Sequence, residues 1–280
     1  MVTFSTSPNW DFAKVRFKKQ LRRFLPKISV LFANEKLLRD IGFLQNHKDF
    51  INQNKKGYGL WLWKPIVILH AMDIFPADSI IIYTDIGCEF NFSFRSNSRF
   101  NEYVDLAYTK GGLAFELPFL EREWTSLQAL EQLNATKSQN RQISGTVIFI
   151  KNDTFGRKFV ETWYSELIKD SYRSLLDFGE DDLGKGAGTH RHDQSVLSIL
   201  WHRTGFASVP DETYWNMSSA EKENYPIWAT RNRLLTSARR GTVVLTLNRI
   251  LRKLYVILFE LSIGKHNRKG IVKNYFFNKE

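Results

Sequence analysis

A single cysteine, Cys88, stands among 280 residues, so no intrachain disulfide can form, and the usage fits a reducing compartment. No zinc-ligand spacing and no RNA-binding fingerprint is present, which removes the commonest nucleic-acid modules. The opening MVTFSTSPNWDF has no basic segment followed by an apolar stretch, and no secretory signal is expected. Long uncharged apolar runs are also missing. The stretch 242–263 approaches spanning length but carries Arg249, Arg252, Lys253 and Glu260, which argues against a transmembrane helix. Acidic residues are scarce at one end only. From Arg231 onward twelve Lys or Arg face two acids, Glu260 and Glu280, so these fifty residues carry +10 of the chain's +11. A near-neutral body with a basic, apolar tail suits an anionic surface, most simply a membrane, better than nucleic acid.

What is present supplies a large core. Apolar residues make up 43% of the chain, with 22 Phe, 8 Trp and 10 Tyr, enough for one large α/β domain without covalent staples. Residues 2–7 read as a strand, Trp10 to Phe24 as a helix with basic and apolar faces, and Ile28 to Phe32 as a second strand. This β-α-β start predicts a parallel sheet and a nucleotide-binding half-fold. Glu35 to Asn52 is helical in pattern, Gly111 to Leu117 and Ile143 to Lys151 read as strands, Asp153 to Lys169 as a helix, and Phe206 to Pro210 as a terminal strand. Between them the segment 170–189 is rich in glycine and acid; it reads either as a flap over a site or as a surface loop.

The chain is organised around residues 57–89. Gly57-Tyr58-Gly59 lets backbone approach a ligand, a helix from near Leu60 would aim unpaired N–H groups at an anion, and Lys64 lies one turn on, facing either solvent or ligand. Trp61 and Trp63 read as packing residues. The β-branched run Ile80-Ile81-Ile82 marks a strand covered on both faces, and at Tyr83-Thr84-Asp85-Ile86-Gly87 it turns polar. Open α/β sheets bind ligands at the carboxyl ends of strands, so Asp85 stands where chemistry sits; its plainer alternative is a turn cap. A second constellation, His190-Arg191-His192-Asp193-Gln194-Ser195, precedes an apolar helix, where Asp193 or Ser195 is either a cap or a reacting group. The histidines are either hydrogen-bonding residues or metal ligands.

GYGLWLWKP, YTDIGCE and HRHDQSVLSIL together resemble bacterial GT-A nucleotide-sugar transferases of capsule and lipopolysaccharide synthesis, over roughly residues 1–233. The resemblance implies a Rossmann-like, mixed and mainly parallel sheet flanked by helices. It implies sugar transfer from a nucleotide-diphosphate donor to a surface-glycan or lipid-linked acceptor, dependent on a divalent metal (Mn2+ or Mg2+). Asp85-Ile86-Gly87 matches the reduced D-x-G motif that holds metal and diphosphate and lacks the second acid. Donor binding then falls to Gly57, Tyr58, Gly59, Lys64, Asp85, Gly87 and Arg191, the metal to Asp85 and His192, and the acceptor side to Trp124 and Gly145. Asp193 and Gln194 match the Asp-Gln element beside the reacting sugar carbon of retaining enzymes; Asp193 acting as base on the acceptor would instead invert. Arg231 and Arg233 reach phosphate or lie in a solvated linker. The expected division is a catalytic domain, 1–233, and a basic amphipathic helical tail, 234–280. The expected location is cytoplasmic, with the tail on the inner-membrane surface and no nucleic-acid partner.

Overall fold

A computed structural model describes residues 1–6, 10–91, 93–176, 190–213 and 219–234. The tail and the glycine-rich segment 177–189 lie outside the described residues. In chain order the elements are β1 (Val2–Phe4), α1 (Asp11–Phe24), β2 (Leu31–Ala33), α2 (Glu35–Asp40), α3 (Phe43–Gln53), a single turn α4 (Gly57–Leu60), α5 (Trp63–Ile74), β3 (Ile80–Thr84) and β4 (Glu89–Phe90). There follow α6 (Phe94–Lys110), β5 (Gly112–Leu120), α7 (Leu127–Gln132), β6 (Arg141–Ile143), β7 (Val147–Lys151), α8 (Thr154–Tyr172), α9 (Asp193–Thr204), β8 (Ala207–Pro210), α10 (Ser219–Lys222) and β9 (Ile227–Trp228).

Seven strands form a mixed sheet in the order β2-β1-β3-β7-β5-β6, with β8 on the other edge of β5; β4 and β9 make a separate ribbon. β1, β2 and β3 are parallel, β7 runs against β3, and β5 runs against β7 and parallel to β8. Five strands therefore share one direction, and β6 and β7 oppose them. The α/β class expected from the sequence is the observed one, with helices on both faces.

Alternation along β3 explains the two cores. Ile81 and Tyr83 face a core built with α5, α8 and α9, whereas Ile82 faces one built with α1 and α6. Each fully buried Ile or Phe stabilises by about 1.5–3 kcal/mol. Trp163 on α8 and Trp201 on α9 are fully buried and close the first core, and Phe17, Phe115 and Phe149 close the second.

Two sequence expectations were coarser than the fold. The helix over Glu35 to Asn52 is two helices, broken where Gly42 takes φ +77°. The strand over Ile143 to Lys151 is interrupted at Ser144-Gly145-Thr146, so β6 and β7 pair different parts of β5. α6 begins at Phe94, where Ser93 and Ser96 form a reciprocal capping box.

Candidate active site

Every strand that shares the common direction, other than β2, sends its carboxyl end or the following residues to one cleft of about 560 Å3. Phe4 comes from β1, Asp85 to Cys88 from the turn after β3, Leu117 and Phe119 from β5, and Asp211 and Thr213 from beyond β8. The opposed strands contribute their starts, Gln142 and Ser144 to Thr146, and the start of α9 contributes 190–194. This is where ligands bind in open α/β sheets.

At the start of α9 a buried ion pair dominates. Lys64 Nζ lies 2.7 Å from Asp193 Oδ2, with both side chains under 5% exposed. The same ammonium donates to the Gly145 carbonyl at 3.0 Å and lies 5.3 Å above the Tyr83 ring. Asp193 Oδ2 has no well-directed hydrogen bond, so its contact with Lys64 is chiefly Coulombic. Burial pushes the Asp193 carboxyl up to about 6, against the pull of Lys64 and with a smaller push from Asp85. The pair also answers the open question about Lys64, which faces neither solvent nor a free ligand position but Asp193. Next to it, Gln194 Oε1 accepts from Gly145 N–H at 3.0 Å and its Nε2 donates to Gln142 Oε1 at 3.1 Å, so the amide's orientation is fixed.

The turn after β3 is held differently. Asp85 is half-buried, and its Oδ1 accepts from the Tyr83 hydroxyl at 2.6 Å. The segment 229–234 crosses the turn as a strap. Asn232 N–H donates to the Gly87 carbonyl and Asn232 Nδ2 to the buried Glu89 carboxylate, while the single O–H of Thr230 lies within reach of both acceptors and serves one at a time. Arg16, buried on α1, donates to the carbonyls of Ile86, Cys88, Asn232 and Leu234 and so ties turn to strap. Gly87 has a steric reason: a Cβ there would sit 2.9 Å from Arg231 Cα. The strap brings Arg231 and Arg233 into the cleft.

The two histidines have opposite tautomers. His190 Nδ1 accepts from Ser126 N–H, so its Nε2, 3.0 Å from the Ser174 carbonyl, carries the proton. Burial, then the neighbouring His192, holds it down to about 3, a neutral core histidine. His192 Nδ1 faces the Leu175 carbonyl at 2.8 Å and donates there, leaving Nε2 to accept from Lys56 Nζ at 2.9 Å. His192 also takes φ +53°, ψ −120°, a conformation costly for a residue with a Cβ, and stacks on Trp61 at 5.9 Å.

These hydrogen bonds test the implied metal. His190 has no lone pair to offer, His192 Nε2 is directed at an ammonium, Asp193 is paired with Lys64, and one oxygen of Asp85 is taken by Tyr83. Among the described residues no group of three His, Cys, Asp or Glu side chains is placed to hold a cation. The described donor set does not fit a metal held by Asp85 and His192. The acids 180–182 lie outside the described residues.

Of the residues singled out in the sequence, Lys64, Asp85, Gly87, Trp124, Gly145, Arg191, His192, Asp193 and Gln194 line the cleft together. Gly57, Tyr58 and Gly59 do not. They form a left-handed turn, with φ of +60°, +56° and +85°, that packs against the Trp61 ring and Ile51. That turn presents Trp61 to the cleft, so Trp61 lines the site where a packing role was expected; Trp63 also borders the cleft but is buried, with Nε1 on the Gly57 carbonyl. Arg16, Lys56, Glu89 and Gln142 were missed. Arg16 was hidden in a helix whose basic residues looked uniformly solvated, and nothing local distinguishes it from Lys18 or Arg22.

No protein-family model matches the chain, and no curated protein does. Fourteen solved chains match its fold, among them three remote likenesses. Mouse xyloside xylosyltransferase 1, apo form, is 12% identical over 79% of this chain and 88% of that one, with a TM-score of 0.43. The galactosyltransferase LgtC, in complex with donor and acceptor sugar analogues, is 12% identical over 89% and 93%, with a TM-score of 0.44. An active-site mutant of LgtC is 13% identical over 91% and 95%, with a TM-score of 0.42. Likenesses this remote say nothing about substrate or mechanism.

Proposed function

We propose that residues 1–233 form a glycosyltransferase that moves a sugar from a nucleoside-diphosphate donor to a surface-glycan or lipid-linked acceptor with retention of configuration. The observation that carries this reading is the cleft itself. It joins a strand-end carboxylate, a buried Lys64–Asp193 pair, an oriented Gln194, four further cations and the aromatic faces of Trp10, Trp61 and Trp124. Transfer breaks the bond between the anomeric carbon and the diphosphate, leaving positive charge on the sugar and negative charge on the leaving group. Asp193 and the Gln194 amide supply negative potential on the sugar side, and Lys64 keeps Asp193 ionised. Asp85, with Tyr83 fixing its rotamer, orients donor hydroxyls, and Trp124 and Gly145 face the acceptor. The manganese or magnesium that the resemblance implies enters none of these steps, because the described residues do not form its site.

No helix among the described residues is long and apolar enough to cross a membrane. Residues 234–280 are proposed as a separate basic tail that meets the inner-membrane surface at a lipid-linked acceptor. The test is a panel of nucleotide sugars incubated with the full chain, reading nucleoside diphosphate released and the configuration of the sugar product by NMR. Turnover with retention, reduced at least about a hundredfold in Asp193→Asn, is expected for loss of a charge that acts only in the transition state. A folded chain that turns over no donor defeats the proposal, and an inverted product moves Asp193 to the role of base.

A further inference from the structure

Among the described residues, the cleft contains cations without counter-ions. Lys64 is paired with Asp193, but Lys56, Arg191, Arg231 and Arg233 line the same cleft, and no described carboxylate lies within ion-pair distance of any of them. The lining offers only Asp85 and Asp211 against these four, and Asp211 already accepts from Thr213. Two of the guanidiniums lie over indoles, Arg191 at 4.1 Å from the Trp124 ring and Arg233 at 4.6 Å from that of Trp10. An aromatic face satisfies a guanidinium without using its N–H donors, which stay available to an oxyanion. Arg231 is near enough to Arg191 to disfavour its charge, after burial itself. Holding two like charges together costs energy that an anion between them would recover.

The close approach of the strap at Gly87 sets where an anion would meet Arg231. Arg231 enters the cleft directly over the turn that begins at Asp85, because Gly87 has no Cβ to keep the strap away. Lys56 lines the same cleft, its ammonium steered by the Nε2 lone pair of His192 and retaining two N–H groups for a ligand. We propose that Arg191 and Arg231, with Lys56 and Arg233, receive the diphosphate of the donor, so that the chain's own cations take the place of a divalent ion in donor binding. This rests on the glycosyltransferase reading and names the means by which that site holds its substrate.

The experiment is calorimetric titration of UDP, GDP, CDP and ADP into the full chain, first in EDTA and then with Mn2+, with inorganic pyrophosphate as competitor. At least one nucleotide is expected to bind in EDTA, to be displaced by pyrophosphate, and to change affinity less than about threefold on adding Mn2+. Arg231→Gln and Arg191→Gln should each weaken it about tenfold or more, the worth of a charge-assisted hydrogen bond, and Arg231→Lys should fall between. Near-ultraviolet circular dichroism confirms that each variant is folded; the strap's hydrogen bonds to the turn come from Thr230 and Asn232, and Arg231→Lys retains most of the side chain's bulk. Binding that requires Mn2+ overturns the inference and leaves glycosyl transfer standing. Binding in EDTA that neither arginine variant weakens overturns the assignment of these residues. Failure of all four nucleotides, with and without Mn2+, overturns both this inference and the function on which it rests.

Discussion

Two short segments bring most of the candidate chemistry to the cleft, and they are held by opposite means. The start of α9, 190–194, is fixed by side chains: a buried ion pair, a neutral histidine between two backbone groups, and an amide bonded to Gly145. The turn 85–89 is fixed mainly through backbone carbonyls, which Arg16 and the strap gather from both segments. A region held by buried charge responds strongly to removal of one partner and to pH. The turn also keeps two buried charged groups, Arg16 and Glu89, but most of its ties run to backbone carbonyls, which do not titrate, and its close backbone packing at Gly87 makes it sensitive to added volume.

The sharpest break of this contrast is Lys64→Met. It leaves Asp193 buried without its cation and should cost about 3–5 kcal/mol, a large part of the roughly 5–15 kcal/mol typical of a domain. Urea denaturation checks it. The double variant Lys64→Met/Asp193→Leu should recover most of that loss, since it removes both charges; a double variant as unstable as the single one would show that shape, not charge, holds α9 in place.

Next in size is Gly87→Ala. The new Cβ meets Arg231 Cα at 2.9 Å and its carbonyl carbon at 3.1 Å, and backbone cannot swing away as a side chain can. We expect about 1–3 kcal/mol of destabilisation, the usual range for overpacking, with loss of nucleotide affinity as the strap lifts. Unchanged stability and affinity would mean that the strap is loosely laid.

A pH titration then separates the regions. His190 is held at about 3 in the fold against 6.5 ordinarily, so its contribution to stability is present above pH 6.5 and is lost as pH falls toward 3. Asp193 is raised to about 6 from 3.8; the folded state takes its proton first, and stability is gained as pH falls from about 6 toward 3.8. Between those two values the groups oppose each other. Unfolding free energies from urea titration of His190→Asn and wild type should therefore diverge by about 1.4 kcal/mol per pH unit over that window, the variant faring relatively better in acid. The same Asp193 protonation should place the acid limb of activity near pH 6. Parallel stability curves would place His190 in contact with water.

The sequence exposed what depends on chain neighbours. Asp85 was legible because an all-β-branched run ended in polar residues, and 190–194 because polar side chains crowd before an apolar helix. What depends on distant partners was not. Arg16 reaches residues 70 to 218 positions away, and Lys56 finds His192 across 136 positions. Gly87 was visible as a departure from a two-acid motif, but its steric reason lies on a strap far along the chain, at Arg231. The break in the strand at Ser144-Gly145-Thr146 is only three residues long, and because Val147 to Ile150 resume the apolar run the pattern reads as one strand.

Gly145 joins the two regions and yields the smallest expected effect. A Cβ there would lie 3.3 Å from both Gln194 Cβ and Lys64 Nζ, tighter than usual but short of a clash. Its backbone needs no left-handed conformation, so Ala adds crowding and no torsional strain. The flexible end of Lys64 can retreat a few tenths of an ångström, but only by loosening its 2.7 Å contact with Asp193. Gly145→Ala should therefore cost under about 1 kcal/mol in urea and still lower kcat more than it raises KM, because it disturbs Asp193 and Gln194, the groups proposed to stand beside the reacting carbon. If KM rises alone, Gly145 borders a binding surface only, and the coupling between α9 and the β6–β7 break does not extend to the chemistry.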